Sequence, residues 1–215
     1  MTTRLLILDF DGTMADTRGI ILRTFHDTLC HLQLPDVSDE AIIATIGLPL
    51  LEAFPKVVEG CTTAQAQLCT DTYRAISPSN NHPGAVQLFP GVEQTLRRLH
   101  REGTTLAIAS SRGHESLDDF VGQFQLSSII SMVVGAEDVE HAKPDPCPVL
   151  TILKSLGFKA SETAVVGDAT FDILMARRAG CQAIGVSYGN NTPEQLLESG
   201  ASHVVDSFLQ LPALL

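Results

Sequence analysis

The stretch Leu5-Leu6-Ile7-Leu8-Asp9-Phe10-Asp11-Gly12-Thr13 decides the fold. Its four consecutive apolar residues predict a strand buried on both faces, as in a parallel sheet. Gly12 breaks the strand, so the carboxylates of Asp9 and Asp11 are expected together at its carboxyl end. Open α/β sheets bind ligands at that end. Two like charges this close are costly unless a cation lies between them or one keeps a proton, so the segment is a candidate active site.

The rest of the chain alternates strand and helix patterns. Helical apolar spacing at 92–99 and 149–156 separates strand-like runs, and glycine follows each helix. This alternation predicts right-handed βαβ units and therefore an α/β fold with a Rossmann-like, mostly parallel sheet. The further strand-like runs are 106–109, 132–134, 164–166, 183–186 and 203–205.

The alternation fails between Asp16 and Pro83, where every pattern is helical. Helices are expected near 21–32, from Ser38 to Gly47, over 50–58 and over 63–75, followed by a turn-rich linker at 77–84. The sequence thus predicts a catalytic α/β core of residues 1–15 and 84–215. An α-helical cap domain of residues 16–83 is inserted after the first strand.

Composition and charge argue against some classes of partner and leave a small anionic substrate possible. The net charge of −11, without a basic stripe, argues against nucleic acid or an anionic membrane as a partner. The five cysteines are scattered without metal-ligand spacing, and the seven histidines show no H-x-x-x-H spacing. No export signal or run of about 20 apolar residues is present, so we expect a cytoplasmic protein, either monomer or homodimer.

Polar groups follow three other apolar runs, as Asp9 follows the first. Ser110 ends one run, Lys143 comes a few residues beyond another, and Asp168 with Asp172 ends a third. These groups should converge on one edge of a parallel sheet. Transfer of a phosphoryl group to a carboxylate requires such a set, because charge repulsion between nucleophile and phosphate must be neutralised.

The residue types suggest individual roles in that chemistry. Asp9 and Asp168 suit Mg²⁺, which prefers carboxylate oxygens, water and substrate as ligands. Lys143 supplies positive charge to the phosphoryl oxygens and Ser110 donates a hydrogen bond. Asp11, on the flexible turn at Gly12, is placed to protonate the leaving group and later to activate water.

The chain resembles the haloacid dehalogenase superfamily, in the phosphoglycolate phosphatase-like branch with a helical cap. Four motifs carry the resemblance, in the order typical of the family: 9–13, Ser110, Lys143-Pro144, and Gly167-Asp168 with Asp172. The resemblance implies a Mg²⁺-dependent phosphatase that acts on a small phosphorylated metabolite through an aspartyl phosphate.

By the same resemblance each motif residue has a role. Asp9 is the nucleophile, Asp11 the general acid and base, and Lys143 part of the catalytic set. Phosphate is bound by Lys143 with Ser110, Ser111 and Gly12. The metal site comprises Asp9, Asp11 and Asp168, with Asp172 as an indirect or water-mediated contact. The cap loop Gly47-Leu48-Pro49 selects the substrate.

Two hydrolytic or transfer alternatives remain open. A β-phosphoglucomutase-like sugar-phosphate mutase needs a second phosphate site, usually built from cap Arg or Lys, and residues 46–54 contain neither. An inorganic pyrophosphatase is another hydrolytic option that the motifs allow. Dehalogenation needs neither a metal nor an acid at position 11, so Asp11 and Asp168 disfavour it. A phospho-receiver domain lacks a helical insertion after its first strand.

Overall fold

The computed structural model describes residues 3–82 and 84–215. Six strands form a sheet that is parallel throughout, in the order β5-β4-β1-β6-β7-β8, and two short strands, β2 and β3, pair antiparallel. The strands are β1 Leu5–Leu8, β2 Ala15–Asp16, β3 Gln87–Leu88, β4 Thr105–Ala109, β5 Ile130–Val134, β6 Thr163–Gly167, β7 Gln182–Val186 and β8 His203–Val205.

Nine α-helices are present in the described residues, and those after β3 alternate with the strands. The predicted α/β fold class is therefore confirmed, and each predicted strand run lies in a strand. The helices are α1 Arg18–His31, α2 Asp39–Ile43, α3 Leu50–Val57, α4 Thr63–Asn80, α5 Val92–Arg101, α6 His114–Gln123, α7 Cys147–Leu156, α8 Thr170–Arg178 and α9 Pro193–Glu198.

Strand β1 lies at the centre of the sheet and is fully buried. Its side chains alternate between the two faces, with Leu6 and Leu8 in one apolar cluster and Leu5 and Ile7 in another. This two-residue period explains why all four positions are apolar. Strand β4 flanks β1 on one side and β6 flanks it on the other, so the carboxyl end of β1 opens into a crevice.

Helices α1 to α4 enclose an apolar cluster of their own, apart from the two that flank the sheet. At its centre the ring of Phe25 lies 4.7 Å from that of Phe54 and 5.3 Å from that of Tyr73, between centroids. Such aromatic pairs stabilise a small core beyond the area they bury. The predicted division into core and cap stays a prediction, and its boundary at Pro83 lies outside the described residues.

Two predicted element boundaries in this helical region are wrong. Helix α4 continues through Pro78 to Asn80, so the turn-rich linker does not begin at Ser77. The side-chain amide of Asn80 is buried and donates to Thr24 and Asp27 of α1, which holds the last turn in place despite the proline. The helix expected from Ser38 to Gly47 is α2 followed by turns, since it ends at Ile43.

Within the part of the chain that the structure describes, no helix is both long enough and apolar enough to cross a lipid bilayer.

Candidate active site

Three neighbouring strands deliver polar side chains to one edge of the sheet. Asp9 follows β1, Ser110 follows β4 and Asp168 follows β6, and all three are buried. The ladder continues one residue past β1 and β4, because Asp9 N–H donates to the Val166 carbonyl and Ser110 N–H to the Val134 carbonyl, at 2.9 and 3.0 Å. The backbones that carry these side chains are therefore held by the sheet itself.

Lys143 reaches this edge from the segment between β5 and α7. Its Nζ atom lies 2.5 Å from Oδ1 of Asp9 and 2.7 Å from Oδ1 of Asp172, and its side chain is 1% exposed. Burial lowers the pKa of Lys143, but the charges of Asp172 and Asp9 outweigh it and raise the pKa above its usual value. The site therefore contains a permanent cation beside the Asp9 carboxylate.

Asp168 is fixed by donors from two other segments. Thr13 Oγ1 donates to Oδ1 at 3.0 Å, and the backbone and side-chain amides of Asn190 donate to Oδ2 at 2.7 and 2.8 Å. Gly12 lies against the same carboxylate with φ of +80°, and a Cβ there would lie 2.3 Å from Oδ2. Glycine is thus required at position 12 both for its backbone conformation and for space.

Three buried carboxylates converge in the described residues. Oxygen atoms of Asp9, Asp168 and Asp172 all lie within 4.8 Å of one another. Clustered carboxylate oxygens suit a hard divalent cation such as Mg²⁺. Asp172 accepts hydrogen bonds at both oxygens, from Lys143 Nζ and the Ala169 N–H, as Asp168 does from Thr13 and Asn190. The three carboxylates together form the candidate metal site, and Asp9 and Asp168 are the two that the sequence predicts as ligands.

Burial dominates the electrostatics of these two carboxylates. It raises the pKa of Asp168 to about 7, with the charge of Asp172 adding to the rise and the donors Asn190 and Thr13 opposing it. Burial also raises the pKa of Asp9 well above its usual range, against the opposing charge of Lys143. Ionised carboxylates packed this closely require a nearby cation, and a bound metal ion would supply one.

Asp11 does not join the carboxylate cluster. Its side chain pairs with Arg112, from the loop between β4 and α6: Nε lies 3.1 Å from each carboxylate oxygen and Nη2 lies 2.5 Å from Oδ1. Both side chains are nearly buried, 9% exposed for Arg112 and 13% for Asp11. The arrangement separates Asp11 from the metal-type cluster, although it is only two residues from Asp9.

A cavity of about 640 Å³ opens over this edge of the sheet. Asp9, Asp11 and Ser110 lie at its core side, and α4 and the loop at 47–49 line its other wall. Ser111 Oγ donates to the Gly47 carbonyl at 2.6 Å, which links the two walls. All three residues of the predicted specificity loop, Gly47, Leu48 and Pro49, line the cavity.

The structure thus brings Asp9, Lys143, Asp168 and Asp172 together, and Ser110 lies with Asp9 on the core side of the cavity. It places Gly12 against Asp168 and turns the Ser111 hydroxyl toward Gly47.

Three residues of the site did not stand out in the sequence. They are Thr13, Arg112 and Asn190, to which the sequence patterns assign no role at the site. A weaker signal for Asn190 existed, because it lies in the loop that leaves the carboxyl end of β7.

Comparison with known proteins identifies the family. The family model described as haloacid dehalogenase-like hydrolase matches residues 6–186, most of the chain. The chain is a haloacid dehalogenase-like hydrolase. Among solved structures, one from Bacteroides fragilis described as a haloacid dehalogenase-like hydrolase superposes on this hydrolase with a TM-score of 0.91 and 26% identity. The match covers 98% of this chain and 100% of the other.

Curated relatives of this hydrolase are named as phosphatases or pyrophosphatases. "Probable phosphatase IndB" of Dickeya dadantii is 39% identical, over 96% of this chain and 91% of that protein. "Pyrophosphatase PpaX" of Anoxybacillus flavithermus is 29% identical, over 100% and 98%. "Phosphoglycolate phosphatase" of Haemophilus influenzae is 24% identical, over 99% and 98%. The family and these relatives establish this hydrolase as a phosphatase, as the sequence predicted.

Proposed function

We propose that this phosphatase is a Mg²⁺-dependent phosphomonoester hydrolase that forms an aspartyl phosphate on Asp9. The observation that carries the proposal is the contact between Asp9 and Lys143, at 2.5 Å, beneath a cavity of about 640 Å³. A carboxylate beside a fixed cation can approach a phosphate dianion without the full cost of charge repulsion. Asp168, with a carboxylate oxygen within 4.8 Å of one of Asp9, adds the oxygen ligand that a divalent cation requires.

The first half of the reaction transfers the phosphoryl group. An Asp9 carboxylate oxygen forms a bond to phosphorus as the bond from phosphorus to the ester oxygen breaks, and Asp11 gives its proton to that oxygen. Lys143 and Ser110 hold the phosphoryl oxygens while charge spreads over them. Mg²⁺, held by Asp9 and Asp168, would neutralise charge between the phosphate and the nucleophile.

The second half restores the enzyme. Asp11, now a carboxylate, takes a proton from water, and the water oxygen attacks phosphorus and releases Asp9 and inorganic phosphate. The side chain of Asp11 pairs with Arg112 and lies outside the cluster of Asp9, Asp168 and Asp172, so of its two predicted roles we propose the acid and base role rather than that of a side-chain metal ligand. Asp172 accepts a hydrogen bond from Lys143 and holds it in place, and its contact with the metal is indirect or mediated by water.

The substrate class proposed is a small phosphorylated metabolite, of the kind phosphoglycolate represents, and the loop at 47–49 contacts its leaving group. Inorganic pyrophosphate is the second candidate, because a relative covered over nearly its full length is named as a pyrophosphatase. A panel of phosphate esters and pyrophosphate, assayed with Mg²⁺, separates the two. Appearance of a sugar bisphosphate from a sugar monophosphate would favour the mutase alternative.

The test of the mechanism is the Asp9→Asn variant, which keeps side-chain volume but removes the nucleophilic oxygen. We expect no turnover of p-nitrophenyl phosphate, and rapid quenching of wild type with labelled substrate should trap phosphate on Asp9. Asp71→Asn, an exposed substitution of the same type on α4, serves as the control. Full activity of Asp9→Asn, or label on another residue, would overturn the covalent mechanism.

A further inference from the structure

Arg112 occupies a position that none of the predicted roles explains. Its guanidinium is nearly buried beside the cavity and engages both carboxylate oxygens of Asp11. Within the described residues, Arg112 is the only side chain that hydrogen-bonds the Asp11 carboxylate. The orientation of Asp11 therefore depends on one partner.

Arg112 is itself held from several sides. Its guanidinium carbon lies 5.2 Å from the ring centroid of Phe120 and 5.9 Å from that of Phe10, within cation–π range. Nη1 donates to Ser116 Oγ at 3.2 Å. Its backbone carbonyl accepts from Ala136 N–H at 2.9 Å, which ties the loop to the segment after β5. The planar fork of an arginine held this way fixes the direction of a carboxylate as a lysine ammonium cannot.

Arg112 directs the Asp11 carboxylate away from the other carboxylates of the site. Three other carboxylates of the site converge within 4.8 Å of one another, and Asp11 is not among them. Asp11 instead lies at the cavity wall. A group that must protonate the leaving oxygen needs to face the leaving-group side of the phosphorus, away from the metal ligands.

We propose that Arg112 is a positioning residue for Asp11, which holds this carboxyl out of the metal cluster and directed at the leaving group. The inference rests on the proposed function, in which Asp11 is the general acid. Arg112 itself neither transfers a proton nor contacts the reacting atoms. Its loss should slow those reactions whose leaving group requires a proton and spare those whose leaving group does not.

The test compares two esters of similar size by their kcat/KM values. Benzyl phosphate releases a strongly basic alkoxide that needs a proton, whereas p-nitrophenyl phosphate releases a stable phenolate. The ratio kcat/KM stops at the first irreversible step, transfer of the phosphoryl group with loss of the alcohol, so the later attack of water does not contribute. Arg112→Met keeps the packing on Phe10 and Phe120 but removes the fork, and Arg112→Lys keeps the charge.

We expect Arg112→Met to lower kcat/KM for benzyl phosphate roughly 100-fold, and Arg112→Lys about 10-fold, within the range of a general acid contribution. The value for p-nitrophenyl phosphate should change less than about 3-fold. Arg98→Met, an exposed arginine on α5, is the matched control and should change neither ester. Melting curves confirm that each variant is folded. If Arg112→Met does not fold, Arg112→Lys tests the positioning role in its place.

The outcomes separate the inference from the proposed function. Asp11→Asn should show the same selective loss, more strongly. Equal losses on both esters in Asp11→Asn would refute the acid role and with it this part of the proposed function. A selective loss in Asp11→Asn together with equal losses, or none, in the Arg112 variants would overturn the positioning role while leaving the mechanism intact.

Discussion

The Nζ atom of Lys143 lies 2.5 Å from Oδ1 of Asp9, in a position where both side chains are almost wholly shielded from water. The pair joins the end of the central strand β1 to a segment 134 residues later in the chain. Buried ion pairs add little net stability compared with apolar packing, but breaking one leaves a charge without compensation. The contact is therefore better explained by chemistry at Asp9 than by stability.

Replacing Lys143 with Met should abolish activity and destabilise the fold together. Asp9 and Asp172 would be left buried without their cation, which typically costs about 3 to 5 kcal/mol in the free energy of unfolding. Urea unfolding measures this loss, with Lys154→Met on the exposed face of α7 as the control.

The double variant Lys143→Met with Asp172→Asn should recover part of the lost stability without activity, because one fewer carboxylate remains unpaired. Wild-type stability in Lys143→Met alone would show that the carboxylates accept protons and need no cation.

Gly12→Ala should weaken the metal site more than backbone strain alone predicts. The added Cβ would lie 2.3 Å from Oδ2 of Asp168, so the carboxylate must shift away from its donors. Gly103→Ala provides the matched control, because Gly103 also has positive φ but a Cβ added there would meet no atom within 4 Å. Both should lose about 1 to 2 kcal/mol of stability through left-handed backbone strain.

Only Gly12→Ala should also raise the Mg²⁺ concentration required for half-maximal activity, by about tenfold for each 1.4 kcal/mol of lost binding free energy. Equal Mg²⁺ requirements in the two variants would show that Asp168 tolerates displacement.

The pH dependence of metal-free stability should report Asp168. Its pKa is raised to about 7 by burial, against about 4 in an unfolded chain. The folded state therefore holds a proton that the unfolded state releases between these values. The resulting stability is complete below about pH 4 and is lost as pH rises through about 7. Thermal melts from pH 5 to 8 in chelator measure it, and Asp168→Asn should remove this component.

Mg²⁺ binding should show the opposite pH dependence, because the metal competes with that proton. The apparent affinity should fall by about tenfold per pH unit below pH 7. Calorimetric titration with Mg²⁺ at pH 6 and 8 checks this. An affinity that is the same at both values would place the metal away from Asp168.

The part of the site that sequence predicted best is the part fixed by strand ends. Asp9, Ser110 and Asp168 each follow a buried apolar run, and a parallel sheet brings such positions to one edge whatever the loops do. The pairing of Asp11 with Arg112 joins two loops 101 residues apart, and no local periodicity encodes it. Asn190 also comes after a strand, but it directly follows Tyr188 and Gly189 rather than an apolar run, so its place at the site was harder to predict.

The helical region was harder to predict because tertiary contacts override local propensity. Pro78 signals a helix end in isolation, yet α4 continues to Asn80 through buried side-chain hydrogen bonds to α1. The short α2 shows the reverse, since apolar positions at 42, 43 and 46 suggested a longer helix than the one that forms.

Changes in the loop at 47–49 should alter which ester is preferred without altering the chemistry. Leu48 and Pro49 line the cavity on its helical side, and the groups proposed to hold the phosphoryl group all come from the sheet edge. Leu48→Ala and Pro49→Ala should therefore change the relative kcat/KM among phosphorylated metabolites, because only the leaving group reaches this wall. Turnover of the small ester p-nitrophenyl phosphate should change little.

Leu68→Ala, an exposed leucine on α4, is the control for unspecific effects on the helical region. The link from Ser111 to the Gly47 carbonyl offers a second measurement, since Ser111→Ala removes the hydrogen bond without touching the loop residues. If the Leu48 and Pro49 variants lose activity equally on every ester, as expected of a defect in closure or folding, the loop does not select substrate.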